Sequence, residues 1–166
     1  MTNDVALKKR FDLVLRLIKP RLASVGYIKK NFKFVKIFPR SVSVIEFQKS
    51  QQSSKYQIKF TINAAVLFQE LWDPQYPQIA NASSSRGHII KRIGRLLPEP
   101  SDFWWYMNPN TNETFLAAEV EQYIFKYVLP FLAKFPTVEE AKVAWDLGEE
   151  LGKTSGEIKY YLSLLK

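Results

Sequence analysis

Apolar residues recur at three- and four-residue spacing from residue 4 to residue 25. Leu7, Phe11, Val14, Leu15, Ile18, Leu22 and Val25 form one stripe, which predicts an amphipathic helix. Asp4 is placed as its N-cap and Gly26 as its stop, and Pro20 should kink or break it. Lys8, Lys9, Arg16 and Lys19 flank the stripe. At Tyr27 the period changes from helical to alternating. Tyr27 to Phe38 is aromatic and β-branched, Pro39-Arg40-Ser41 reads as a turn, and Val42 to Gln48 reads as a second strand. After a polar hairpin loop, Lys49 to Ser54, comes the cleanest alternation. Tyr56, Ile58, Phe60 and Ile62 interleave with Gln57, Lys59, Thr61 and Asn63, so one sheet face should be core and the other polar. That register points Glu46 to the polar face, beside Lys59.

Residues 70–87 carry Trp72-Asp73-Pro74-Gln75-Tyr76-Pro77 and a small, polar stretch from Asn81 to Gly87. They read as a long surface connection, a length that is uncommon without a role. His88 to Leu97 and Phe103 to Met107 are the remaining strand candidates. Thr114 to Phe135 reads as a helix with Pro130 inside it. Val138 to Leu151 reads as another, stopped by Gly152, and a short last helix is capped by Ser155 or Gly156. The expected architecture is α+β: an antiparallel sheet of about four to five strands with the N-terminal and C-terminal helices packed on one face. Residues 1–136 form the domain, and 137–166 a helical extension packed on it.

Composition removes whole classes of chemistry. Among 166 residues there is no cysteine and one histidine, so thiol nucleophiles, disulfide scaffolds and multi-histidine metal sites are excluded. No cofactor and no metal are called for. A nucleophile elbow and a phosphate loop are both missing from the sequence. No run approaches the roughly 18 apolar residues of a spanning helix, and no leader pattern opens the chain, so no membrane is expected and the cytoplasm is the default location.

Charge is the uneven property. The net +8 divides into +11 for residues 1–69, with 14 basic and three acidic residues, and −3 for residues 70–166, with 10 basic and 13 acidic. A basic half suggests an anionic partner, nucleic acid first. It is equally consistent with a solvated lysine surface, or with a basic half that meets the acidic half of its own chain or a neighbour.

Few residues are candidates for chemistry. His88 is the only imidazole and starts a strand without an assigned carboxylate neighbour. Arg92 and Arg95 are opposite in strand parity and share a face only if the strand bulges at Gly94. Trp104-Trp105 puts one indole in the core and leaves the other for a stacking surface. The expected ligand-binding set is Glu46, Gln48, Thr61, Asn63, Arg92, Arg95 and Trp105.

The order of short blocks adds to this. Leu22-Ala23-Ser24-Val25-Gly26-Tyr27, Lys29-Lys30-Asn31-Phe32, Ile45-Glu46-Phe47-Gln48-Lys49-Ser50, Phe60-Thr61-Ile62-Asn63, Arg92-Ile93-Gly94-Arg95-Leu96 and Trp104-Trp105 follow one another. The succession resembles the bacterial domain of unknown function 4304 family, over about residues 5–133. The resemblance implies an α+β domain, supplies no catalytic residues, and points to Gln48, Thr61, Asn63 and Arg92 as a shared polar surface. Asn81 to Gly87 lacks the cysteine of many relatives, so no thiol-based role carries over. The functional expectation is a non-catalytic binding or protein-interaction domain, with an enzyme using Glu46, Arg92 or His88 ranked behind it. The domain would use the polar face of its sheet for a protein or small-molecule partner, with nucleic-acid binding by the basic N-terminal half as the alternative.

Overall fold

A computed structural model describes residues 3–166, with side chains from residue 6 onward. The first helix, α1 (Asn3–Ser24), buries Leu7, Phe11, Val14, Leu15, Ile18 and Leu22, the predicted stripe. Pro20 lies within α1 without ending it. The helix closes as the sequence anticipates: Gly26 N–H donates to Ala23 O and Tyr27 N–H to Leu22 O, which satisfies two carbonyls of the last turn. The N-cap role expected of Asp4 falls on a side chain outside those described.

Six antiparallel strands follow: β1 (Ile28–Lys30), β2 (Lys33–Ile37), β3 (Ser41–Lys49), β4 (Ile58–Phe68), β5 (Ile89–Arg92) and β6 (Trp105–Met107). Their order is β1-β2-β3-β4-β5, and β6 pairs with the first residues of β4 on the side where β5 pairs with Asn63 to Val66. The Tyr27–Phe38 segment splits into a short hairpin because Asn31 turns through a left-handed conformation, φ 55°. β4 differs from its expected 56–63 span at both ends. Tyr56 precedes it and is exposed, and the strand continues through Ala64-Ala65-Val66-Leu67-Phe68. Those five residues do not alternate because both faces of the sheet are covered there.

The inner face carries Phe34, Ile45, Phe47, Phe60 and Trp105 against α1 and α2 (Glu113–Tyr123). Phe60 and Trp105 stack with centroids 5.5 Å apart, and Phe11 meets Phe60 edge-on at 5.1 Å. A π turn, Ile124–Val128, links α2 to α3 (Leu129–Leu132). Its wider winding relieves the missing N–H and ring clash of Pro130. Helices α4 (Val138–Asp146) and α5 (Ser155–Leu164) each begin with a capping box, Thr137 with Glu140 and Thr154 with Glu157. Both add to the inner core, α4 through Ala141 and Trp145 and α5 through Ile158 and Tyr161. Helix α4 ends at Asp146, five residues before the expected Leu151, and the last helix is capped by Thr154 rather than by Ser155 or Gly156.

The outer face is divided into zones. Val35, Val42, Val44, Ala65 and Leu67 form a second apolar cluster, covered by Trp72, Ile79 and Ala82 of the 69–88 connection. We call that connection the strap. It contains three 3₁₀ turns, Gln69–Leu71, Ile79–Asn81 and Ser84–Arg86. Lys30 Nζ donates to Asn81 Oδ1 (3.2 Å), and Lys33 Nζ donates to the carbonyls of Asn81 and Ala82 (2.8 Å each). Two lysines of the basic half therefore hold the strap down. Three of its arginines pair with carboxylates of the acidic half: Arg10 with Glu113, Arg21 with Glu121 and Arg40 with Glu70. Three of the 14 cations of the basic half are thus paired with carboxylates of the acidic half.

Candidate functional site

Cross-strand register sets the polar zone of the outer face. Lys33 faces Glu46, Glu46 faces Asn63, and Asn63 faces Arg92, one residue from each of β2, β3, β4 and β5. The next row pairs Gln48 with Thr61. Residues opposite one another in antiparallel pairs share a face, so five of the seven expected site residues, Glu46, Gln48, Thr61, Asn63 and Arg92, stand together.

Two of those five are committed to holding loops. Glu46 Oε1 accepts from Ser84 N (2.9 Å) and Ser84 Oγ (2.6 Å), which pins the strap. Thr61 is buried and its hydroxyl donates to Phe103 O at 2.9 Å. The expected Glu46–Lys59 pair is corrected by the register: Lys59 lies opposite Tyr106, and its Nζ donates to Gln52 Oε1.

The open end belongs to the other three and to residues the sequence expectation left out. Asn63 Nδ2 donates to Gln48 Oε1 at 2.7 Å, which orders both amides and leaves their remaining groups to solvent. The Arg92 guanidinium carbon lies 5.0 Å from the centre of the Trp104 ring, and Lys59 Nζ lies 4.9 Å from it. Asp102 Oδ1 accepts from both Trp104 Nε1 (3.0 Å) and Arg92 Nη1 (3.3 Å). Exposed Tyr106 extends the aromatic surface. Gly94 makes this arrangement feasible. A Cβ there would stand 2.1 Å from Ser101 O and 2.7 Å from Phe103 N, so only glycine lets the 101–104 segment cross close enough to deliver Trp104.

The other two site expectations do not join the row. Trp105 is the indole that enters the core: it is buried, stacks on Phe60, and its Nε1 donates to Glu119 Oε2. Strand parity gives the outer position to Trp104. Arg95 sits on a 3₁₀ turn, Ile93–Leu96, which replaces the expected bulge, and it is exposed beyond the end of β5. There it borders a basic depression of about 380 Å³ with Lys91, Lys126, Lys134 and Tyr127. Lys126 and Lys134 lie far from Arg95 in sequence, so only the packing of residues 113–134 reveals this group.

His88 is buried and structural in its contacts. Its Nδ1 accepts from Phe68 N at 2.9 Å, its ring meets Tyr161 edge-on at 5.1 Å, and burial pushes its pKa down to about 4. It lines a cavity with Lys153 and Tyr161, whereas Arg92 borders a different depression with Ile90 and Gly152. Glu46 lines neither of these. His88 thus stands apart from the polar row that Glu46 and Arg92 share. Among the described residues, no three His, Asp or Glu side chains gather as metal ligands, and no helix is long and apolar enough to cross a membrane.

A family model described as "Domain of unknown function (DUF4304)" matches residues 18–134. That span contains all six strands and the 113–132 helical segment, but neither α4 nor α5. No curated protein and no solved structure matches the chain.

Proposed function

Since the chain belongs to the DUF4304 family and the matched span carries the whole sheet, we propose that it is a non-catalytic binding domain whose contact surface is the open polar end of the outer face. The carrying observation is Trp104 with both the Arg92 guanidinium and the Lys59 ammonium over its ring, beside the ordered Gln48–Asn63 amide pair. Indoles and arginines supply much of the energy of protein interfaces, and the cations favour an acidic segment of a protein partner. The face offers donors and a flat aromatic wall but no activated nucleophile or base, which supports binding rather than turnover.

Anisotropy of a labelled glutamate-rich peptide tests the reading. The double variant R92A/W104A should weaken binding at least about tenfold, as loss of two interface anchors requires. Unchanged affinity in that variant would remove the site.

One observation favours a second reading. Lys91, Arg95, Lys126 and Lys134 converge around Tyr127 and Phe131, with cations over both rings. Cations interleaved with aromatics suit single-stranded nucleic acid. This reading moves the nucleic-acid surface away from the N-terminal half, where three of the four arginines are paired internally and Lys30 and Lys33 hold the strap. It requires an oligothymidylate affinity that falls steeply with salt and is lost in K126A/K134A.

A further inference from the structure

Four cations close around one hollow beside the end of β5. Lys91 comes from that strand, Arg95 from the 3₁₀ turn after it, Lys126 from the π turn and Lys134 from the residues after α3. The hollow is the basic depression of about 380 Å³, and Glu149 is the one carboxylate on its rim. All four cations lie inside the matched span, and Glu149 and Leu151 of the tail that follows complete the wall.

The four have no internal partner of opposite charge. Among the described residues none of them forms an ion pair, whereas Arg10, Arg21, Arg40 and Arg92 each reach a carboxylate. Lys91 Nζ and Lys126 Nζ stand 5.9 Å and 5.4 Å from the centres of the Phe131 and Tyr127 rings. A ring face attracts an ammonium without using up its N–H donors. Arg95, Lys126 and Lys134 are exposed, so their donors are open to a ligand. Like charges gathered in this way repel one another until an anion answers them.

Geometry selects the anion. A single strand passing over a surface carries one charge per phosphodiester, spaced along its length, and is matched by a track of cations. Here the cations converge from four segments on one hollow instead. A terminal phosphate monoester concentrates about −1.5 to −2 charges and three acceptor oxygens in one group. The Arg95 guanidinium offers a planar fork suited to two of those oxygens, and the ammoniums add point charges. A single carboxylate would leave more of the repulsion unanswered.

We propose that this depression binds a phosphate monoester, as the phosphorylated end of a strand or as a free nucleotide. The phosphate follows from the charges; that a nucleotide carries it rests on the nucleic-acid reading of the same surface. The site is separate from the polar face around Trp104.

Anisotropy of two labelled oligothymidylates, differing only in a 5′-phosphate or a 5′-hydroxyl, provides the test. Calorimetry with thymidine monophosphate and with thymidine adds the free nucleotide. The phosphorylated strand should bind at least about tenfold more tightly than the hydroxyl strand, as charge-assisted hydrogen bonds require. R95A, at an exposed position, should cut that preference severalfold. K159A/K166A removes two exposed cations that line a different groove and should leave the preference unchanged. Monophosphate affinity equal to that of the phosphorylated strand would uphold the site and name the free nucleotide as its ligand. Binding of the monophosphate but not of thymidine, with neither strand bound, would uphold the phosphate site and remove the nucleic-acid reading. Equal affinity of the two strands would overturn the proposal and leave the nucleic-acid reading standing. No binding of either strand or of millimolar monophosphate, an undiminished preference in R95A, or equal loss in R95A and K159A/K166A would each overturn the proposal.

Discussion

The imidazole Nδ1 of His88 accepts the backbone N–H of Phe68 at 2.9 Å, and so ties the end of the longest strand to the residue that closes the strap. This bond requires the neutral ring with its proton on the other nitrogen. Burial is the largest cause of the lowered pKa, and the Lys153 charge adds to it.

A pH dependence follows from that depression. The ring titrates near 6.5 when unfolded and at about 4 when folded, so the unfolded chain binds the extra proton between those values. The contribution of the neutral ring is fully present above about pH 6.5 and is lost as pH falls through 4. Urea unfolding at pH 7 and pH 4 should differ by up to about 3 kcal/mol from this group. H88Q should flatten the difference, and an equally steep profile in that variant would assign the loss to other groups.

Glu46 predicts the behaviour of the strap. Its Oε1 takes both the amide and the hydroxyl of Ser84, so E46A strands a buried amide and should lower stability by about 1.5–3 kcal/mol. Limited proteolysis should then open within residues 79–86, with the sheet amides still protected from exchange. Uniform loss of protection would mean that the strap is part of the global folding unit.

Two glycines in the tail form a matched pair. Gly152 has φ +83° and its Cβ position lies 1.9 Å from Ile90 O, whereas Gly148 has φ +88° with nothing within 4 Å. G148A should lose only about 1–2 kcal/mol, the strain of a left-handed alanine. G152A should lose clearly more and break the Ile90 N–H to Leu151 O bond of 3.1 Å, which fastens the tail to β5. Thermal unfolding and exchange of the Ile90 amide measure both effects; equal losses would refute the close approach.

The arginine pairs differ in a similar way. Arg10 donates to Glu113 and also to the carbonyls of Pro109 and Thr111, and its side chain is 26% exposed. Arg21 has the Glu121 pair and the Phe125 ring beneath it, with its side chain 56% exposed. R10A should destabilise by about 1–3 kcal/mol and R21A by no more than about 1 kcal/mol. Chemical unfolding of the two variants separates them, and equal effects would show that the carbonyl contacts of Arg10 add nothing.

Local periodicity carried much of this in the sequence. The α1 stripe, the alternation from Ile58 to Asn63 and the split fate of Trp104 and Trp105 all follow from which neighbours share a face. Ala64 to Phe68 was illegible because a strand covered on both sides has no alternation to read. Parity put Glu46, Thr61 and Asn63 on the polar face, and the family resemblance added Gln48 and Arg92 to the row that the register brings together. What parity could not give was the length of β4, and hence the true partner of Lys59. It also could not show that Arg95 turns away on a 3₁₀ turn. The basic depression was hidden for another reason: Lys126 and Lys134 stand far from Lys91 and Arg95 in the chain, and neither pair predicts the other.

The internal charge pairing has a consequence for biosynthesis. α1 and β1 to β4 are complete at Phe68, so the ribosome delivers a +11 segment before Glu70, Glu113 and Glu121 exist to neutralise Arg40, Arg10 and Arg21. The nascent chain is, for that interval, a polycation beside ribosomal RNA, although the finished molecule has answered three of its four early arginines. Net charge is then a property of chain length, +11 for residues 1–69 and +8 once the acidic half has been added.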